Sequence, residues 1–254
     1  MKADRILDME RYICQKGNVS MEGLRRQFGV SMNTVRRDVA TLLRRGTVEK
    51  IYGGVRAIAS DFHTLTPYEV RRGAGEKAKI AVGQAAAELV HDGDIIFIDS
   101  GTTTVHMIDF LASRRDVTII THNLEVIFRA LPNENITVIA MPGQVQRKTN
   151  SLTGGEAVRF LRRYNIKTAF MAATGISAQG ATNSFPLEYE IKREAIERSE
   201  KSVLLVAREK FGVTGLMTFA PLSAFSAVVT DQAPAPEDCE RIEQAGGELI
   251  IARP

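Results

Sequence analysis

Acid, hydroxyls and amides come together in the run Ile95-Ile96-Phe97-Ile98-Asp99-Ser100-Gly101-Thr102-Thr103-Thr104. Four consecutive apolar residues suit a strand buried on both faces, and a helical pattern resumes near Val105. Beyond the carboxyl end of such a strand, backbone N–H groups and small hydroxyls can hold an anion. Asp99 through Thr103 therefore reads either as a phosphate cradle or as an ordinary strand-to-helix turn in which Ser and Thr serve as caps. Other polar residues also follow apolar runs: Thr121-His122-Asn123, Lys148-Thr149 after Pro142-Gly143, Ala173-Thr174-Gly175, Thr182-Asn183, Glu188 with Lys192 one helical turn on, and Lys210-Phe211-Gly212. Singly, each reads as a cap, a turn or a solvated charge. Together they would surround an anionic polyol with hydroxyls, amides and two lysines.

The elements that must position them alternate. Apolar strands are expected at 95–98, 117–120, 136–140, 169–172, 203–207, 227–230 and 249–251, and helical patterns near 104–112, 124–131, 155–163, 188–199 and 236–245. Such alternation predicts a mostly parallel sheet flanked by helices, an α/β domain. Ahead of it, residues 76–90 read as an amphipathic helix with Ile80, Ala81, Ala85 and Leu89 on its apolar side. Residues 59 to about 76, with Pro67, Gly73 and Gly75, read as irregular. Neither a dinucleotide-binding glycine fingerprint nor a Walker loop is present.

The first sixty residues differ in charge from the rest. They hold 12 Lys+Arg against 6 Asp+Glu, a net of +6, whereas the remainder of the 254-residue chain carries −3. A small basic module joined to a larger, mildly acidic one points to nucleic acid. Ile6, Met9, Tyr12 and Ile13 recur at helical spacing up to Gly17. Ser20 can cap a second helix containing the Leu24/Phe28 pair, and Ser31 a third from Met32 to about Arg45. This is a helix-turn-helix pattern. On the third helix Val35, Val39, Leu42 and Leu43 share the packing face. Asn33, Arg37, Ala40 and Arg44 lie opposite, flanked by Thr34 and Arg36. Arg and Asn on the outer face suit bidentate readout of guanine and adenine in the major groove. Two strand-like runs around Gly53-Gly54 predict a hairpin wing with a primed turn, offering Lys50, Tyr52 and Arg56 to backbone phosphate. A protein-binding winged helix has the same outline.

The stretch Val30-Ser31-Met32-Asn33-Thr34-Val35-Arg36-Arg37-Asp38-Val39, followed by Gly53-Gly54, resembles the signature of the DeoR family of bacterial repressors. In the second part Asp99-Ser100-Gly101-Thr102-Thr103, Asn123, Glu188 with Lys192, and Lys210-Phe211-Gly212 resemble that family's sensor domain. The resemblance implies a fold like that of ribose-5-phosphate isomerase and a phosphorylated sugar as ligand. It would have Ser100 to Thr103 hold the phosphate, Asn123 and Asn183 reach sugar hydroxyls, and Lys210 meet an anionic or carbonyl oxygen. Two positions depart from the family pattern. Thr174 stands where many members carry Asp, which argues against proton transfer because a hydroxyl is no general base near neutral pH. Ala207-Arg208-Glu209 replaces the usual Asp-x-Ser and points to a different ligand. Asn33 through Asp38, Glu49 through Val55, Ala173-Thr174-Gly175 and Glu188 through Lys192 look most like the branch that represses inositol catabolism. That branch would imply a phosphorylated keto-acid sugar as inducer.

The expected organisation is a winged helix-turn-helix over residues 1–58, a linker over 59–75 and an α/β sugar-phosphate sensor and oligomerisation domain over 76–254. Its expected partners are operator DNA, a phosphorylated sugar effector and further copies of the chain, as a dimer or tetramer. The DNA-contacting set is Ser31, Asn33, Thr34, Arg36, Arg37, Arg44, Lys50, Tyr52 and Arg56. The effector set is Asp99, Ser100, Gly101, Thr102, Thr103, Asn123, Lys148, Thr174, Gly175, Asn183, Glu188 and Lys210. No cofactor and no metal are expected, since His63, His91, His106 and His122 lack ligand spacing and the two cysteines are far apart. Cysteine usage and the absence of a long apolar run predict a cytoplasmic protein with no membrane contact. The alternative is an isomerase-like enzyme acting on a sugar phosphate and carrying an accessory winged-helix module.

Overall fold

The computed structural model of the chain describes residues 5, 6, 8, 9, 12, 13, 16, 18–45, 48–57 and 68–253. These fall into two compact units, Met1–Thr64 and Leu65–Pro254. Gly17, most of the expected linker and His63 lie outside the described residues.

In the first unit Ile6, Met9 and Ile13 are buried with Leu24, Val35, Val39 and Leu42 in one apolar cluster. Ser20 caps helix Met21–Phe28 by accepting the Gly23 N–H, and Gly29 ends it at φ +61°. Ser31 caps helix Met32–Arg45 by accepting the Thr34 N–H at 3.2 Å. The three apolar positions that repeat along this helix pack inward as their spacing requires.

The wing is larger than expected. Strand β1 (Asn18–Ser20) joins β2 (Val48–Ile51) and β3 (Gly54–Ala57) in a three-stranded antiparallel sheet ordered β1-β3-β2. The tight turn is also one residue earlier than expected. Ile51 pairs with Gly54, so Tyr52-Gly53 forms the corner, and only Gly53 has positive φ, +74°. A primed turn needs positive φ at its first central residue, so this corner is not one. Gly54 serves another purpose: a Cβ there would sit 2.3 Å from the Val19 carbonyl oxygen, which only glycine avoids. The close approach of β1 explains the second glycine.

The second unit is a seven-stranded parallel sheet in the order β15-β14-β12-β9-β4-β5-β6. Its strands are β4 (Ile95–Ile98), β5 (Val117–Thr121), β6 (Ile136–Ala140), β9 (Ile166–Ala172), β12 (Ser199–Leu205), β14 (Ala227–Thr230) and β15 (Glu248–Ile251). Successive residues enter opposite cores. Ile96 and Ile98 join Phe170, Val203 and Leu205 on one face, whereas Phe97 joins Ala169, Met171 and Leu204 on the other. Burial on both faces is why these strands read as continuous apolar runs. Helices Glu76–Ala87, Leu124–Ala130, Gly155–Leu161, Tyr189–Glu197 and Pro236–Gln244 flank the sheet, and the run after β4 is 3-10 helix from Thr104 to Phe110.

Three expectations change. The stretch read as irregular contains helix Tyr68–Gly73, and Tyr68 is 2% exposed. In the next helix the buried residues are Lys79, Val82, Gly83, Ala86 and Ala87, while Ile80 is exposed. Small residues let that helix lie close to its neighbour: a Cβ on Gly83 would be 2.7 Å from His106 Cβ. Short strands β7 (Gln144–Gln146), β8 (Ser151–Thr153), β10 (Gly175–Ser177), β11 (Gly180–Asn183) and β13 (Met217–Ala220) add antiparallel ribbons that apolar runs do not announce.

Candidate functional site

The chain enters the sheet at β4, moves outward through β5 and β6, then returns to lay β9 on the other side of β4. Between β4 and β9 the winding direction reverses, and the carboxyl ends of strands at such a reversal are where parallel sheets bind ligands in a crevice. Asp99–Thr103 and Ala173–Gly175 are the loops that follow these two strands.

Asp99 is fully buried and sits at the centre. Its Oδ1 accepts the Ser100 N–H at 2.8 Å and faces His122 Nε2 at 3.1 Å. Its Oδ2 accepts the Ala172 N–H at 2.9 Å and the Lys192 ammonium, which also donates to the Ala172 carbonyl at 2.9 Å. Burial alone would push the carboxyl up, but Lys192 and His122 outweigh it and hold it below the usual carboxylate range. Lys192 lies 5.2 Å from the centre of the Phe219 ring, and His122 stacks on Phe97. The Ser100 and Ala172 N–H groups and the Lys192 ammonium hold both carboxylate oxygens, so Asp99 orients the loop. His122 Nδ1 donates to the Leu152 carbonyl at 3.1 Å, and its Nε2 accepts the Ser100 N–H at 3.0 Å.

Asn123 is likewise occupied. Its Oδ1 accepts the Glu125 and Val126 N–H groups as a helix cap, and its Nδ2 donates to the Asp99 and Gly101 carbonyls at 3.3 Å. Both ends of the amide are used in this structure, so Asn123, expected to reach a sugar hydroxyl, here braces the 99–101 loop and caps the helix. Asn183 folds onto Phe185, accepting its N–H and donating to its carbonyl. The Lys148 side chain is exposed at the β7–β8 connection, and only its carbonyl is engaged, accepting the Tyr68 N–H at 3.0 Å.

The loop between these anchors keeps its donors free. Residues 99 to 104 are all buried, and Thr104 Oγ1 donates to the Asp99 carbonyl at 2.9 Å. Among the described residues no protein acceptor meets the N–H groups of Gly101, Thr102 and Thr103, and the buried Thr103 hydroxyl has no partner. Buried donors without acceptors are rare in native proteins, and several turned to one crevice form an anion nest. Gly101 permits the turn, because a Cβ there would lie 2.6 Å from Ala172 Cβ. Gly101→Ala is therefore expected to displace the loop from β9 and abolish anion binding at modest cost in stability. Isothermal titration with sugar phosphates, set against an unchanged circular-dichroism spectrum, checks this.

Across the crevice the Thr174 hydroxyl accepts the Ser184 N–H at 3.1 Å. Gly175 packs against Val213, whose carbonyl oxygen would be 2.3 Å from a Cβ. Glu188, 3% exposed, accepts the Ser151 hydroxyl at 2.8 Å. Lys210 donates from Nζ to the Ala173 carbonyl at 2.7 Å. Burial pushes its pKa down to about 7, with Arg71 and Lys79 adding repulsion. Lys210 is half-buried, whereas Lys79 is buried and donates to the Arg71 carbonyl; desolvation brings it to about 8. Arg71 lies over the Tyr68 ring at 5.7 Å, and burial lowers its pKa against the raising effect of Glu188. Neither Arg71 nor Lys79 figures among the residues expected from sequence. The apolar side expected for this helix, Ile80, Ala81, Ala85 and Leu89, leaves Lys79 out, so hydropathy carries no signal for it.

In the first unit Asn33, Arg36 and Arg37 are exposed on one side of the third helix, and Ser31 and Thr34 hydrogen-bond to each other at its start. Lys50 and Tyr52 are exposed on the wing, with Tyr52 at its tip. Arg56 is paired across the hairpin with Glu49 at 2.6 Å, so a phosphate would compete with a carboxylate there. The Arg44 side chain lies outside the described residues. Asp38 is fully buried and accepts Arg5 Nε at 2.8 Å, tying the third helix to the first. The acid that follows the Arg-Arg pair is thus structural.

Comparison with known proteins agrees with both halves. Residues 5–61 match the DeoR-like helix-turn-helix domain and residues 74–232 the DeoR C terminal sensor domain. The HTH-type transcriptional regulator IolR of Bacillus subtilis is 41% identical over 91% of this chain and 92% of its own length. The glycerol-3-phosphate regulon repressor of Escherichia coli is 28% identical over 87% of each chain. Ribose 5-phosphate isomerase A from Methanocaldococcus jannaschii aligns over 54% of this chain and 55% of its own at 20% identity and a TM-score of 0.41. The chain belongs to the DeoR family of helix-turn-helix transcriptional regulators.

Proposed function

We propose that this regulator represses a sugar or polyol catabolic operon and leaves its operator when a phosphorylated sugar enters the crevice between β4 and β9. The observation that carries the reading is the buried Gly101–Thr103 loop, whose three N–H groups and one hydroxyl meet no protein acceptor among the described residues. Such a site holds a phosphate by its amides and the sugar by its polar rim. Ser100, Thr102, Thr174 and Asn183 line or brace the same crevice. The relatives' names support the physiological side, one of them being a glycerol-3-phosphate regulon repressor. The likeness of residues 33–38 and 188–192 to the inositol-catabolism branch favours a phosphorylated keto-acid sugar.

On the DNA side the exposed Asn33, Arg36 and Arg37 and the half-buried Thr34 face the major groove, with Lys50 and Tyr52 on the flanking backbone. A dimer or tetramer would engage repeated half-sites. Phe128 and Leu131, each 66% exposed near one end of helix Leu124–Ala130, support such an assembly. No helix among the described residues is long and apolar enough to cross a membrane.

An enzymatic reading is weaker. The Asp99 carboxylate is held by two backbone N–H groups and the Lys192 ammonium, and Thr174, whose hydroxyl already holds the Ser184 N–H, stands where a base would be needed. Fluorescence anisotropy of the protein on DNA from its own promoter region tests the proposal. A phosphorylated sugar from a panel should release the DNA, and the unphosphorylated sugar should not. Release by free sugars alone would refute it.

A further inference from the structure

The seven-stranded sheet ends on β6 at one side and on β15 at the other. Edge strands expose unpaired N–H and C=O groups, and proteins guard them with charge, proline or a bulge. Strand β15 begins with Glu248 and leads into Arg253, charges of that kind. Strand β6, Ile136-Thr137-Val138-Ile139-Ala140, carries no charge, no proline and no register shift against β5. Its backbone alternates with period two. Met141 donates its N–H to the Thr121 carbonyl of β5, so Ile139 and Thr137 also face β5, while Val138 and Ala140 turn N–H and C=O outward.

The helix beside that edge matches it. Helix Leu124–Ala130 joins β5 to β6, and Val126 and Ala130 share a core cluster with Ile136. Its Arg129 binds Asp109 of the 3-10 helix at 2.9 Å, which fixes the side turned away from the edge. At about 100° per residue, Ile127 and Leu131 fall on the other side, with Phe128 next to them. Phe128 and Leu131 are each 66% exposed. Together with the bare strand they offer about 500 Å² per copy, roughly 1,000 Å² for a symmetric pair, enough for a specific interface. Charge agrees with an antiparallel arrangement. Exposed Glu134 precedes β6, exposed Arg147 and Lys148 follow it, and none of the three enters an ion pair among the described residues. Antiparallel pairing of two copies sets the acidic end of each against the basic end of the other.

We propose that two copies of the chain join edge to edge, β6 against β6, about a two-fold axis through Val138. The register is self-complementary. Val138 faces Val138 of the second copy as a hydrogen-bonded pair, and Thr137 faces Ile139 as the closer pair without hydrogen bonds. Phe128 and Leu131 of the two helices meet beside the joined strands. This rests on the oligomeric part of the reading above and gives it a surface and a register.

Sedimentation equilibrium of the full-length protein tests it with two substitutions. Val138→Pro removes the outward N–H at a position where an edge strand tolerates proline. Phe128→Glu places a charge at the helix contact. Each should halve the sedimenting mass and leave the circular-dichroism spectrum unchanged. A third variant, Thr137→Cys with Ile139→Cys, is oxidised beside the parent and stays informative if proline disturbs the fold. Disulfides should link two copies, because the facing Cα atoms stand about 4.5 Å apart. Absence of that cross-link overturns the pairing whatever the masses show. If the parent is nonetheless an oligomer, assembly belongs to another surface and the oligomeric reading survives. A monomeric parent removes both. None of these measurements involves the effector, so the sugar-phosphate reading stands or falls separately.

Discussion

Lys192→Met is expected to cost the sheet domain about 3–5 kcal/mol, the usual penalty for leaving one member of a buried ion pair without its partner. Asp99 has no exposed surface and Lys192 almost none, so water cannot replace the lost ammonium. In a domain of this size that loss lowers the melting temperature by roughly 10 °C. The pH dependence identifies the cause. In the unaltered protein the Asp99 carboxyl is held below its ordinary value, so its contribution is present above the unfolded carboxylate pKa and is lost as pH falls through the depressed one. Without Lys192, burial dominates and drives the same carboxyl upward. The variant's deficit should therefore be largest near neutral pH and should shrink on acidification, as Asp99 protonates. Asp99→Asn combined with Lys192→Met should recover part of the loss, because the buried charge is then gone. Calorimetric melting across pH checks all three statements. A deficit that is independent of pH would show that Lys192 matters only for packing.

How far sequence could foresee this site depends on what each residue's signal was. The parallel strands were legible because burial on both faces makes them apolar throughout, as in Ile95–Ile98 and Ala227–Thr230. Strand β7, Gln-Val-Gln, carries no such mark, since its pairing with β8 rests on backbone bonds. Asp99, Gly101 and Thr103 were legible as a strand-end cluster, but their division of labour was not. Whether an amide caps a helix or meets a ligand is set by groups far along the chain, and Asn123 is fixed by the carbonyls of Asp99 and Gly101. Lys79 and Ile80 show the sharpest limit. Hydropathy places Ile80 inside and Lys79 outside, yet the carbonyl of Arg71 and the carboxylate of Glu209 draw the lysine inward, and the helix turns to suit. Tertiary contacts overrode the local pattern there.

Arg37→Ala and Asp38→Ala, neighbours in sequence, should both weaken operator binding, for opposite reasons. Arg37 is exposed and its side chain engages no carboxylate among the described residues, so truncation should leave the melting temperature unchanged. If it contacts a guanine edge, each site loses about 1–3 kcal/mol, roughly 5- to 150-fold in affinity, and discrimination relaxes at one base pair. If it contacts phosphate, binding weakens evenly across sequences and the slope of log affinity against log salt falls by about 1. Asp38, about 100° further round the helix, is fully buried and accepts Arg5 Nε. Its removal frees the first helix from the third, so loss of DNA binding should come with a lowered melting temperature, and cooling should restore part of the affinity. Anisotropy titrations at several salt concentrations, run beside thermal melts, separate the two. If Arg37→Ala bound operator as tightly and as selectively as the parent, the third helix would not be the reading element. The exposed wing, with Lys50 and Tyr52, would then be the surface to test next.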